Sequence, residues 1–485
     1  MNTMNLLSKK ILCLLACLSL VPSLTYADNH ELSLVAALAN SLNRADKSAI
    51  WPEFKINSSP IIIYFSNNHH YAYNFFPTNP DWKIQNDSSR TLYYLDHDAY
   101  GIDDLPWGNS MIDGQSSFIF NVDGIPDPSN NIILHVLLHE RFHVFQFKNF
   151  PTDIYNFDTY NGFNNLENVK LTYIEDLALS DYLTTSSVQA LKDFVAINQY
   201  RQKMIGTDSA QYEMKKENIE GIADYYGWSM AIPNETERNR TIISTYKNTC
   251  DMNHLIKCQI HNRYYFTGNS IAIALDQLTP EIWKEKLVKN KLSIRDQLNQ
   301  YFAMTDSQIQ KRVREAKIYY HYEDITKPIE QAIKNYKDKR DSEFNHYTNS
   351  TGVIFNLERI PCDAYSMISS KDIYYMDSNT QLILDNNGIT SCSDESIKIN
   401  FIKTPYTLQK EHSGEEQVKI NPDTKIEYDG KSIYLSELAK VNMSIDFDNL
   451  HLQDPALEVT IKNRHGQLKS NDGVVYLITD THTVT

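Results

Sequence analysis

The stretch Ser129-Asn130-Asn131-Ile132-Ile133-Leu134-His135-Val136-Leu137-Leu138-His139-Glu140-Arg141-Phe142-His143-Val144-Phe145-Gln146 concentrates the residues that could do chemistry. It reads as a helix that is apolar on nearly every side and therefore buried, with Ser129 placed to cap its start. One Glu and three His nevertheless lie in it. Such groups are costly to bury without a partner, and a metal ion is one such partner. His139-Glu140-Arg141-Phe142-His143 is an HExxH sequence. Positions i and i+4 share a helix face, so both imidazoles can meet one zinc ion. Glu140 then lies beside the open coordination position, where it can take a proton from a zinc-activated water. His135, one turn earlier, reads as a core histidine bonded to a neighbour.

A zinc site of this kind needs a third protein ligand. In Glu217-Asn218-Ile219-Glu220-Gly221-Ile222-Ala223-Asp224, Glu220 and Asp224 are again i and i+4. Glu220 is the expected ligand, and Asp224 the acceptor for the N–H of a ligand histidine, fixing its tautomer. Glu217 is the main rival for the third place, and Glu175-Asp176 offers another.

These motifs resemble the gluzincin metallopeptidases, which pair HExxH with a Glu on a later helix. Glu220-Gly221-Ile222-Ala223 is similar to the Glu-Gly-x-Ala around the third ligand of the aminopeptidase-N-like branch, and Asp224 to the outer Asp of the thermolysin-like branch. Arg263-Tyr264-Tyr265-Phe266-Thr267-Gly268 resembles the Tyr-x-x-Gly segment whose Tyr stabilises the oxyanion. The resemblance implies a zincin-like fold and a zinc-dependent peptidase. In it Glu140 is general base and then acid to the leaving amine, and Tyr265 is the oxyanion donor, with Tyr264 as its alternative. It covers motifs between about 130 and 270, and it departs from the pattern in three ways. His143 and Glu220 are 77 positions apart, which requires an extra helical insertion. Thr267 stands where the aminopeptidase branch has Lys. No Gly-x-Met-Glu-Asn segment precedes the HExxH, which argues against exopeptidase action.

The elements that must position these residues follow a simple order. A helical pattern covers 28–45. Strand patterns follow at 60–65, 91–95 and 117–121, and helices dominate from about 130 to 335. A charged, polar stretch at 337–351 reads as a linker. Beyond it come short strands with turn signals, of which Asp429-Gly430 within 425–434 is the clearest hairpin. The expectation is an α+β chain: a catalytic domain over 28–336, strands first and then mostly helices, and a smaller β-rich domain over 352–485.

Residues 1–27 read as a signal peptide. Lys9-Lys10 precede an apolar run from Ile11 to Leu24, and Thr25-Tyr26-Ala27 supplies small residues for cleavage. The run contains Pro22 and is short for a membrane span. No later segment is apolar enough to span, so the mature chain is expected to be exported, to the periplasm or beyond. Four cysteines remain after cleavage, Cys250, Cys258, Cys362 and Cys392. An even number suggests two disulfides. Three pairings are possible, and proximity favours Cys250–Cys258 with Cys362–Cys392.

Across 485 residues the charge is −15, from 46 basic and 61 acidic residues. That balance argues against nucleic acid or anionic lipid as main partner. The expected partner is a peptide or protein substrate. The rival reading is an exported binding or adhesion protein whose peptidase-like domain is inert. Asp96-His97-Asp98 with Asp103-Asp104 reads as a polar loop rather than a second metal site, and His69-His70 as surface.

Overall fold

The computed structural model describes residues 25–47, 50–65, 67–87, 90–97, 99–100, 107–123, 125, 129–150, 160, 162–280, 282–358, 372–375, 380–384, 389–393, 396–402, 405–409 and 415–479. The chain is α+β and divides into two compact units, Met1–Thr326 and Lys327–Thr485.

The first unit opens with helix α1 (Thr25–Asp46). Six strands follow: β1 (Ile61–Tyr64), β2 (His70–Tyr73), β3 (Lys83–Asp87), β4 (Arg90–Leu95), β5 (Trp107–Ile112) and β6 (Gln115–Asn121). They form one sheet in the order β3-β4-β2-β1-β6-β5. β1 and β6 run parallel, with Ile61 opposite Phe118. Both faces of the sheet are covered, which is why Ile61-Ile62-Ile63 shows no alternation. Ile61, Ile63, Phe118 and Phe120 join the helical core, while Ile62, Tyr64, Ala72 and Ile119 join a second cluster with Phe75 and Trp82. The three strands legible in the sequence are β1, β4 and β6. His70 is a correction: it is buried on β2, its ring on the His97 carbonyl at 3.2 Å. His69 pairs with Glu31 at 2.8 Å.

The helices of this unit are α2 (Asn130–Asn149), α3 (Leu166–Thr185), α4 (Val188–Ile205), α5 (Thr207–Lys216), α6 (Ile222–Ala231), α7 (Glu235–Thr249), α8 (Arg263–Leu278), α9 (Ile282–Asn290), α10 (Ile294–Phe302) and α11 (Asp306–Tyr319). Two are entered through π turns: Glu217–Gly221 joins α5 to α6, and Cys258–Asn262 leads into α8. Ser129 takes the N-cap position of α2 but makes no side-chain cap bond. The α2 surface away from the histidines is fixed by aromatic packing. Phe142 lies 5.1 Å from both Trp51 and Phe54 and stacks on Tyr226 at 4.9 Å. Arg141 reaches Ser58 and Ser59 at 3.2 and 2.6 Å. The two middle residues of HExxH are thus anchors, and they hold the helix face that carries the histidines.

The second unit begins inside helix α12 (Thr326–Asn349). This corrects the expected linker at 337–351. The charges there form the solvated side of a helix, with Lys334 and Asp338 paired one turn apart, while Tyr336 and Tyr347 are buried. Beyond α12, the described strands form a six-stranded and an eight-stranded sheet. Their shared core includes Phe355, Leu357, Val418, Leu452, Val459, Leu468 and Leu477. The hairpin at Asp429-Gly430 forms as expected. Both turn residues have positive φ, 42° and 76°, and Tyr428 pairs with Lys431.

Cys250 and Cys258 form a disulfide. The Cys362–Cys392 pairing lies outside the described residues, as does most of the expected signal segment. Among the described residues no helix is long and apolar enough to cross a membrane.

The Cys250–Cys258 bond closes a short loop, which by loop entropy alone stabilises the fold by about 2–3 kcal/mol. A Cys250→Ser, Cys258→Ser protein is therefore expected to lose about that much in urea unfolding, with unchanged far-UV circular dichroism.

Candidate metal centre

Helix α2 carries His139 and His143 on one face, and the π turn carries Glu220 across from them. The two Nε2 atoms are 2.9 Å apart. Glu220 Oε2 lies 3.5 Å from His139 Nε2 and 3.3 Å from His143 Nε2. Ligands held at ~2.0–2.1 Å around a tetrahedral ion are roughly 3.3 Å from one another. The three side chains thus have the spacing that such an ion requires, and they fit zinc by donor type as well. Burial works against a charged His143, but the carboxylate of Glu220, with Glu140 and Gln146, outweighs it and raises the ring to about 9. Burial likewise opposes charge on Glu220, yet the two histidines hold its carboxyl well below the usual range.

Gln146 decides which nitrogen of His143 faces the centre. Its amide Nε2 donates to the carbonyls of Asn218 and Ile219, at 3.3 and 3.0 Å. Its Oε1 must then accept, and it takes the N–H of His143 Nδ1 at 2.7 Å. With Nδ1 committed to Gln146, Nε2 is the nitrogen that faces Glu220 and the one that would give its lone pair to an ion. One buried amide therefore fixes the tautomer and ties α2 to the π turn. The sequence offered Gln146 only as the residue one turn past the last histidine.

The π turn decides which glutamate faces α2. Residues three apart on a regular helix share a face. Glu217 and Glu220 do not: the wider turn swings them apart. Glu217 is buried against Arg295, at 2.5 and 2.8 Å, and accepts from Thr267 at 2.7 Å. Glu175 is likewise committed, to Arg201 at 2.6 Å and Arg263 at 3.1 Å. Both rivals for the third ligand are held by arginines. Gly221 makes the close approach possible. A Cβ there would sit 2.4 Å from Gly268 Cα, and one on Gly268 would sit 2.6 Å from the Glu217 carbonyl. The glycines after Glu220 and Tyr265 are thus the crossing point of α8 with the π turn.

Asp224 is placed differently from expectation. Its hydrogen bonds go to His135 Nε2 at 2.7 Å and Asn269 Nδ2 at 2.8 Å. Its distance to His139 Nδ1 is 3.9 Å, too long for a hydrogen bond. His139 Nδ1 itself is buried with no hydrogen-bond partner. His135 is bonded to a neighbour as expected, but it is partly buried at a cleft rather than in the core, stacked on Trp228 at 3.9 Å. With His139 and Asp224 it makes a second group of metal-binding types around the same histidine. Tyr265 stacks on the His139 ring at 5.6 Å. Burial, then the charges of Glu220 and Glu140 and a hydrogen bond to Glu220, raise its hydroxyl well above the usual range. Tyr264 is spent elsewhere, on the Gln259 carbonyl at 2.7 Å. Asp96 pairs with exposed Lys83 at 2.6 Å, which holds its carboxyl down at about 2. Asp98, Asp103 and Asp104 lie outside the described residues.

Beneath the centre is a buried charge lattice that the sequence did not reveal. Arg201, Arg263 and Arg295 share it with Glu175, Glu213, Glu217 and Asp176. Three guanidiniums cannot balance four carboxylates. Burial and the neighbouring Glu175 accordingly prevail over Arg263 and lift Asp176 to about 7.

Two outcomes are expected. Gln146→Leu should fold yet bind zinc about 10–100-fold more weakly by competitive chelator titration, because the His143 tautomer is no longer fixed. Asp176 holds a proton in the folded state up to about pH 7, but in the unfolded chain releases it near the ordinary carboxylate value. The stability this proton contributes is complete below that value and lost as pH rises through 7. Relative to Asp176→Asn, the wild type should lose stability from pH 4 to 7 and no more above, measured by urea unfolding. No family model matches the chain, and no curated protein or solved structure matches it.

Proposed function

We propose that the chain is an exported zinc-dependent hydrolase that cleaves peptide bonds. The observation that carries this reading is the triangle of His139, His143 and Glu220, with Glu140 and Tyr265 both close enough to influence it. The three would hold a zinc ion, which when bound would acidify a water and polarise a carbonyl. Peptide bonds as the target come from the resemblance to gluzincins. Export is supported by the N-terminal pattern and by the Cys250–Cys258 disulfide.

The roles of this chain's own groups follow from their surroundings. Glu140 is not one of the three ligands, and its charge reaches both His143 and Tyr265. It takes a proton from the attacking water and returns it to the leaving amine. Tyr265 keeps its phenolic proton, since burial and two carboxylates oppose its loss. It is the donor for charge developing on the substrate oxygen. Arg141 and Phe142 hold α2 against the sheet and the aromatic core, so that the histidines do not move with the substrate.

Metal content and turnover test the two halves separately. The wild type is expected to hold one zinc per chain by elemental analysis, and Glu220→Ala much less. Glu140→Gln should keep the zinc and lose about 10²–10⁴-fold in peptide hydrolysis. Wild type prepared with zinc present but containing none would defeat the reading. Full activity in Glu140→Gln would remove the proposed base, and zinc without turnover on any peptide would favour an inert binding protein.

A further inference from the structure

The proposed centre is bordered by a cleft of about 290 Å³ lined by Tyr265, which stacks on His139, and by His135 and Asp224. We propose that this cleft is a recognition pocket for one aromatic, uncharged side chain of the substrate, next to the bond that is cut; the inference rests on the peptidase reading. The volume lies just under the range of small-molecule sites, ~300–1,000 Å³, and suits a side chain better than a cofactor.

The lining selects the occupant. Two stacked aromatic pairs contribute to it: His135 on Trp228, and Tyr246 on Phe266 at 4.2 Å. Ile242 adds aliphatic surface. The buried polar groups among these residues are engaged, while Thr245 and Asn262 are exposed to water. Both oxygens of Asp224 are bonded, one to His135 and one to Asn269, and the Tyr246 hydroxyl is turned away to Asp176. What remains for a ligand is mainly ring face and aliphatic surface. A carboxylate side chain would meet Asp224 as a like charge. A lysine or arginine would lose hydration against the ring faces, and the Asp224 oxygens that could answer it are engaged by His135 and Asn269. An aromatic ring loses nothing on entering and gains stacking partners.

The disulfide belongs to the same device. α7 supplies Ile242 and Tyr246, and α8 supplies Tyr265 and Phe266. Cys250, which also lines the cleft, is bonded to Cys258 at the start of the turn that leads into α8. The two walls are thereby joined at one end.

The test measures binding and cutting with the full-length mature chain loaded with zinc. Acetylated pentapeptides Gly-Gly-X-Gly-Gly, with X as Phe, Ala, Lys or Glu, are titrated against the Glu140→Gln protein by saturation-transfer NMR. The same peptides are offered to wild type for hydrolysis. Thr245→Trp, at an exposed position on the cleft rim, is made in both backgrounds to fill the mouth. The expected result is Phe binding tighter than Ala by about 30–100-fold. Lys and Glu should bind no better than Ala, and Thr245→Trp should remove the Phe preference while zinc content stays unchanged. Equal binding of all four peptides, or a Phe preference untouched by Thr245→Trp, overturns the pocket. If wild type still cuts peptides in that case, the peptidase reading survives alone. Preferential Phe binding with no cutting by wild type keeps the pocket and removes the peptidase reading.

Discussion

The position of Glu220 depends on charge buried beneath it. Arg295 binds Glu217 and Glu213 together, Arg201 binds Glu213 and Glu175, and Arg263 binds Glu175 and Asp176. These groups sit on α3, α4, α5, the π turn, α8 and α10, so the lattice fixes six elements at once. Such pairs are weak sources of net stability, because desolvation offsets most of their attraction. Breaking one by removing a single partner is costly, typically about 3–5 kcal/mol. The lattice thus works as a registry device. It holds Glu217 inward, and the π turn then leaves Glu220 facing α2.

Two further contacts transmit that registry to the centre. The Gly221–Gly268 approach sets how near α8 comes, and with it where Tyr265 stacks on His139. Gln146 joins the π-turn carbonyls to His143. A third contact reaches the cleft: Asp176, the surplus acid of the lattice, holds the Tyr246 hydroxyl. Ligand triangle and cleft therefore rest on one set of buried polar groups, which explains why so few of those groups are left to meet a ligand.

Parts of this were legible from residue type and spacing. His139 and His143 share a face because helix geometry is local, and Glu220 with Asp224 followed from the same rule. Strands β1, β4 and β6 were visible as short apolar runs, but β2, β3 and β5 were not. β5 begins Trp107-Gly108-Asn109-Ser110, whose polarity and glycine hide an edge strand. The stretch at 337–351 was misread because charge density marks solvation, not the absence of a helix. His70 was misread because burial of a lone histidine depends on what covers it.

The sequence by itself determined the α+β order, the helix that carries HExxH, the hairpin at Asp429-Gly430 and the proximity of Cys250 to Cys258. All of these are set within a few turns of chain. Only the tertiary structure brought Glu220 to the two histidines and held Glu175 and Glu217 on arginines, because all three are acids on helical segments and differ only in what faces them. It also placed Tyr265 against His139 and Tyr264 on the Gln259 carbonyl, neighbours on α8 that turn to opposite surroundings. Asp224 was drawn to His135 rather than His139, since Gly227 lets α6 press against the His135 backbone and ring. Partner choice among buried polar groups is settled by which helices meet and how closely, and that is a property of the packed chain rather than of any segment.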